Sequence, residues 1–156
     1  MEQIIKTDIF IAGAGPAGIA AAVAAAELGM NVCIAEKNSF PGGRATASAV
    51  GTICGLYLRS SHAAEFAMNG FPKLFAERLI GISGKAAVKF SEGLWFLPSH
   101  PSDFEKTATS FLSESNISTL YKTSVYLVDS TAERITAVYC THGNEKLKII
   151  PECVID

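Results

Sequence analysis

The chain has 156 residues, of which 49% are apolar and 18% charged, enough to build a sizeable core and too apolar for a disordered chain. Its 13 basic and 15 acidic side chains leave a net charge of −2, and the basic ones are scattered singly, which argues against a nucleic-acid surface. Four cysteines at 33, 54, 140 and 153 form no CxxC and have no histidine at zinc spacing, so neither a metal centre nor a disulfide framework follows.

The first predicted element is a strand over Ile4–Ala12, rich in β-branched residues. It runs into Gly13-Ala14-Gly15-Pro16-Ala17-Gly18, then an alanine-rich helix, then a second apolar strand, Val32–Ala35, which ends on Glu36. This is the order and spacing of a βαβ dinucleotide site. Gly13 allows the tight turn, Gly15 lets the backbone approach a pyrophosphate, and Gly18 lets the helix press against the sheet. Pro16 occupies a first-turn position whose N–H has no helical partner. The remaining N–H groups, Ala17 among them, face the anion together with the helix dipole. Glu36 lies 18 residues after Gly18, near the spacing of the acid that accepts hydrogen bonds from a ribose. Ile9–Ala26 also carries no charge over 18 residues, the length of a short membrane span. Its three glycines, its proline and its alanine content favour a helix buried on a sheet, and Glu2 and Asp8 ahead of it do not suit a secretory signal. No membrane contact and a cytoplasmic location are expected.

A polar turn, Lys37 to Pro41, leads to Gly42-Gly43-Arg44-Ala45-Thr46, and from there to Ser61 the chain is small, apolar and without period, as suits a segment lining a ligand. His62–Gly70 and Pro72–Ile80 carry helical spacing. Ala86–Phe90 and Leu94–Leu97 form a hairpin signal about Ser91-Glu92-Gly93. Ser102 and Glu105 fit a capping box ahead of a helix with apolar positions at Phe104, Ala108, Phe111 and Leu112. Strands follow at Ile117–Tyr121, then at Ser124–Val128, Arg134–Thr141 and Lys146–Ile150, the last three an antiparallel meander. Cys153-Val154-Ile155-Asp156 begins a further apolar strand, which with Val32–Ala35 puts Cys153 and Cys33 in predicted buried strands.

Gly13–Gly18, Glu36-Lys37, Gly42–Thr46, the meander and the closing Cys-Val-Ile-Asp together resemble the FAD-dependent oxidoreductases of the glutathione-reductase-type flavoprotein fold. Within them the chain is most similar to the fumarate reductase/succinate dehydrogenase-like enzymes. The resemblance implies an α/β fold: a three-layer Rossmann-like FAD-binding domain with a parallel central sheet and a crossover antiparallel β-meander. It divides the chain into 1–49, the βαβ unit and Gly-Gly loop; 50–100, a flavin-lining segment and partial substrate-domain insertion; and 101–156, the rest of the FAD domain. It implies FAD contacts at Gly13, Gly15, Pro16, Ala17, Gly18, Glu36, Lys37, Gly43, Arg44, Ala45 and Thr46. Arg44 suits paired phosphate oxygens. Val125, on its own a core valine, matches a strand position whose backbone contacts adenine in the resembling enzymes. Their last strand reads like Val-Ile-Asp-Ala-Thr-Gly-Asp. With Asp156 the last residue, a second polypeptide is expected to supply the C-terminal part of the FAD site and the substrate domain.

The expected activity is hydride transfer between a small organic substrate and FAD. An NAD(P)-binding reductase module and a non-catalytic nucleotide-binding subunit are the alternatives, because Glu36 serves either ribose. Cys54 reads as inert packing, His62 and His100 as structural, and Trp95 as core or cavity wall. No catalytic residue is assigned, which suits a flavoenzyme, where the isoalloxazine carries the redox chemistry.

Overall fold

The computed structural model describes residues 3–114 and 116–156. In chain order the elements are β1 (Gln3–Ala12), α1 (Pro16–Glu27), β2 (Val32–Ala35), α2 (Arg44–Ala47), β3 (Thr52–Ile53), α3 (Phe71–Ser83), β4 (Val88–Lys89), β5 (Trp95–Pro98), α4 (Pro101–Glu114), β6 (Ile117–Leu120), β7 (Thr123–Ser130), β8 (Ile135–His142) and β9 (Glu145–Ile155). They fall into two compact units. One comprises Met1–Gly43 and Thr109–Asp156, the other Arg44–Ala108, with the boundary inside α4.

The first unit is built on a six-stranded sheet of order β6-β2-β1-β9-β8-β7. β6, β2, β1 and β9 run parallel, with Ile9 opposite Val32, Val32 opposite Ile117 and Ile9 opposite Cys153. β7, β8 and β9 are antiparallel neighbours. All four residues of β2 are buried, as a parallel strand covered on both faces requires. Successive side chains of β1 point to opposite faces. Ile11 lies on the side of α1, whose Ile19, Ala22, Val23 and Ala25 are buried. Phe10 lies in a second cluster with Cys33, Ala35, Val138, Cys140, Leu147 and Ile149, drawn from β1, β2, β8 and β9 of the sheet.

Two expectations change here. The third meander strand and the last parallel strand are one strand, β9, which pairs with β8 as far as Ile149 and with β1 as far as Ile155. Pro151 does not break it, because it lies past the last β8 pair, where a missing N–H is tolerated. Cys153 is exposed, whereas Cys33 is buried as expected.

In the second unit the sheet has order β3-β5-β4, both pairs antiparallel. The hairpin expected about Ser91–Gly93 forms, with Val88 opposite Phe96 and Lys89 opposite Trp95. His62–Gly70 forms no helix. Its backbone instead bonds across to an earlier stretch, Leu58 N–H to the Glu65 carbonyl and Ala67 N–H to the Leu56 carbonyl, both at 2.8 Å. Ser60 Oγ accepts the His62 N–H at 3.2 Å, a side-chain turn that competes with helix. α4 starts one residue before Ser102. His100, not Ser102, stands at its N-cap, accepting the Asp103 and Phe104 N–H groups on its carbonyl and the Ser102 N–H on Nδ1.

Candidate dinucleotide site

The turn from β1 into α1 carries the geometry its glycines suggest. Gly13 has φ 101°, a conformation open to glycine, and its N–H donates to the Ala35 carbonyl at 2.7 Å. A Cβ on Gly18 would overlap the Gly13 carbonyl oxygen and crowd Ile11, so this glycine is what allows α1 to lie against β1. Among the described residues, chain neighbours aside, a Cβ on Gly15 meets no atom within 4 Å. The space in front of Gly15 is therefore open, at the N-terminus of a 12-residue helix whose first residue is Pro16. The first-turn N–H groups of Ala17 and Gly18 have no partner within the helix and, with the helix dipole, form a site for an anion.

The second glycine pair closes on the same turn. Gly42 N–H donates to the Ala14 carbonyl at 2.7 Å, and a Cβ on Gly43 would stand 3.1 Å from the Gly15 Cα. Gly42 and Gly43 have φ of 107° and 55°, so both take conformations that side chains resist. Arg44, Ala45 and Thr46 follow in α2, the first residues of the second unit; Arg44 is exposed and the other two are half-buried.

Glu36 stands directly after β2 and is only 4% exposed. Its Oε2 accepts the Ala14 N–H at 2.9 Å, and its Oε1 accepts both the N–H and the Nδ2–H of Asn38, each at 2.9 Å. A buried carboxylate needs such donors. The backbone around it is stitched to the meander, with Glu36 N–H donating to the Leu120 carbonyl and Thr123 N–H to the Glu36 carbonyl, both at 2.9 Å. A cleft of about 320 Å³ opens here, lined by Ala12, Gly13, Ala35, Glu36, Lys37, Thr123, Ser124 and Val125.

The structure thus brings Gly13, Glu36, Lys37 and Val125 to one cleft. Val125 is not a core residue: it is 40% exposed, because β7 is the edge strand of the sheet. Sequence reasoning missed Asn38, Thr123 and Ser124. Asn38 reads in the sequence as turn polarity, and the other two are joined to Glu36 by strand pairing alone. In the second unit, Cys54 is exposed rather than packed. It lines a cavity of about 550 Å³ with Thr52, Gly55, Tyr57, Arg59, Phe90, Leu94, Trp95 and Phe96. Trp95 is held there by its Nε1–H bond to the Ser60 carbonyl at 2.9 Å. No group of three or more metal-ligating side chains occurs among the described residues.

A strand-turn-helix with an open anion site, joined to a cleft that holds one buried carboxylate, fits a dinucleotide. The family model for FAD dependent oxidoreductases matches residues 8–156, and the chain belongs to that family. Its cofactor is FAD. No curated protein sequence matches the chain. Among solved structures it is similar to THI4 of Thermovibrio ammonificans, with 18% identity and a TM-score of 0.63 over 97% of this chain and 57% of that one. It is also similar to the 3-ketosteroid-Δ4-(5α)-dehydrogenase of Rhodococcus jostii RHA1 (15% identity, TM-score 0.61, 99% of this chain and 46% of that one). A third likeness is to Sdh1 of Mycobacterium smegmatis in complex with UQ1 (13% identity, TM-score 0.66, 97% of this chain and 33% of that one). At these identities the likeness shows the fold, a Rossmann-like α/β domain with a mostly parallel central sheet. The chain spans between one third and three fifths of these three matched chains.

Proposed function

We propose that these residues hold the ADP part of FAD in a flavin-dependent oxidoreductase that exchanges a hydride with a small organic substrate. The observation that carries the reading is the junction of three features within one unit: the open Gly15 turn, the buried Glu36 carboxylate and the cleft running from Gly13 to Val125. In this reading Gly13, Gly15, Pro16, Ala17 and Gly18 shape the pyrophosphate site, with the N–H groups of Ala17 and Gly18 directed at the anion. Glu36 accepts a ribose hydroxyl, Lys37 lies at the exposed rim, and the Val125 backbone meets adenine. Gly43 keeps the second loop close to Gly15 without a side chain in the way; Arg44, Ala45 and Thr46 follow it in sequence. When bound, FAD supplies the redox chemistry, and the protein supplies orientation and electrostatics.

The substrate domain and the C-terminal part of the FAD site we assign to polypeptide outside these residues, a second chain or more of this one. The 33–57% shares of the matched chains support that division. The test of the adenosine assignment is Glu36→Ala. It is expected to weaken FAD binding by about 1–3 kcal/mol, the scale of losing a hydrogen bond to a charged acceptor. Flavin retention unchanged after extensive dialysis would remove Glu36 from the site. Gly15→Val is expected to abolish FAD binding while leaving far-ultraviolet circular dichroism unchanged. Full FAD occupancy in that variant would place the pyrophosphate elsewhere.

A further inference from the structure

The hydrogen bonds around Glu36 restrict what it can still accept. An ionised carboxylate offers about four acceptor positions, two on each oxygen. Oε1 takes two donors from Asn38, its backbone N–H and its side-chain Nδ2–H, each at 2.9 Å. Oε2 takes the Ala14 N–H at 2.9 Å. Among the described residues three positions are filled, Oε1 is saturated, and one position remains, on Oε2. Asn38 is itself fixed, because its carbonyl accepts the Lys122 N–H at 2.9 Å, and Lys122 holds φ at 52° on the turn between β6 and β7. Asn38 therefore ties Glu36 to the same turn that leads into the Thr123–Val125 wall of the cleft.

We propose that Asn38 is a positioning residue that turns Glu36 into a one-hydroxyl acceptor: the carboxylate takes a single ribose hydroxyl through Oε2, rather than spanning the 2′ and 3′ hydroxyls with both oxygens. The inference rests on the ribose reading of Glu36 given above. Its physical content is that Asn38 occupies the oxygen that would receive the second hydroxyl. That hydroxyl then finds water or no partner, and its removal costs the complex little. The hydroxyl that meets Oε2 bonds to a charged acceptor already desolvated, and its removal leaves a buried lone pair unfilled.

The experiment compares the binding of FAD with that of two FAD analogues, lacking either the 2′ or the 3′ hydroxyl of the adenosine ribose, to the full-length protein stripped of its flavin. The expected result is that one analogue binds at least about tenfold more weakly than FAD while the other stays within about twofold. Asn38→Ala frees one position on Oε1, and in that variant the two analogues are expected to come within about threefold of each other. A merely structural asparagine would lower affinity for all three ligands without changing their ratio. Equal weakening of both analogues in the unaltered protein would overturn the proposal while keeping Glu36 on the ribose. Weakening of neither would overturn the ribose reading itself. A ratio that survives Asn38→Ala unchanged would remove Asn38 from the positioning role.

Discussion

Single residues decide this site by the room they leave or deny. Gly18 is the clearest case, because any Cβ there meets the Gly13 carbonyl oxygen, which belongs to the backbone and cannot turn aside. Gly18→Ala is therefore expected to destabilise the protein by about 1–3 kcal/mol through displacement of α1. Denaturant unfolding measures the loss, and a change below about 0.5 kcal/mol would contradict the packing described. Gly15 differs in kind: chain neighbours aside, no atom of the described residues crowds it, so its substitution is expected to leave the fold intact. The thiols separate in the same way. Burial and the neighbouring Cys140 push Cys33 up to about 12, and burial pushes Cys140 up to about 11, both from an ordinary 9.0. Below pH 9 these thiols stay protonated in both folded and unfolded states, and their contribution to stability is complete. Between pH 9 and about 11–12 the unfolded chain releases protons that the native protein keeps, so stability falls as pH rises. Each thiol contributes a slope of up to about 1.4 kcal/mol per pH unit. Unfolding midpoints taken from pH 8 to 11 should show that decline, and Cys33→Ala should make it shallower. A thiol reagent at pH 8 is expected to modify Cys54 and Cys153 quickly, and Cys33 and Cys140 only on unfolding.

At the scale of elements, the first 43 residues were the most legible. β2 covers Val32–Ala35 as read, because a short apolar run bounded by a turn and an acid has little freedom. Glu36 follows it into a buried position, and the glycine turn precedes it with the expected conformations. Later elements were less legible wherever long-range pairing overrides local pattern. His62–Gly70 carries helical spacing, yet its amides bond to residues 56–58 across a turn held by Ser60. The strand read at Lys146–Ile150 stops before Pro151, yet β9 runs through it on the strength of its pairing with β1. Val125 reads as core in isolation, and only strand order shows that β7 is an edge and its valine a cleft wall. Asn38 left no sequence signal at all, since its role depends on where the Glu36 oxygens fall. The α4 terminus illustrates a near miss. Serine is the stronger N-cap residue by preference, but with Pro101 at the first helical position His100 takes the cap with its carbonyl and Nδ1. His100→Ala is expected to lower stability by about 0.5–1 kcal/mol, the usual scale of a lost cap. A change confined to Ser102→Ala, with His100→Ala neutral, would restore the capping-box reading.

For the whole molecule, the two compact units divide the work the fold can explain from the work it cannot. The unit formed by Met1–Gly43 and Thr109–Asp156 contains the open turn, the acid and the cleft. The Arg44–Ala108 unit carries an aromatic-lined cavity and no group whose chemistry names a reaction. No helix among the described residues is long and apolar enough to cross a membrane, and the charge-free stretch from Ile9 to Ala26 is divided between β1, the glycine turn and α1. Glu36 alone would serve the ribose of FAD or of NAD; membership of the FAD dependent oxidoreductase family supports FAD as the cofactor. The cleft beside Glu36 is therefore expected to take FAD. This is tested most directly by titrating the flavin-stripped full-length protein with FAD and with NADH and following heat release and flavin fluorescence. One FAD bound per chain is expected, more tightly than NADH, with binding lost in Gly15→Val. Tighter binding of NADH, or FAD binding that survives Gly15→Val, would contradict it.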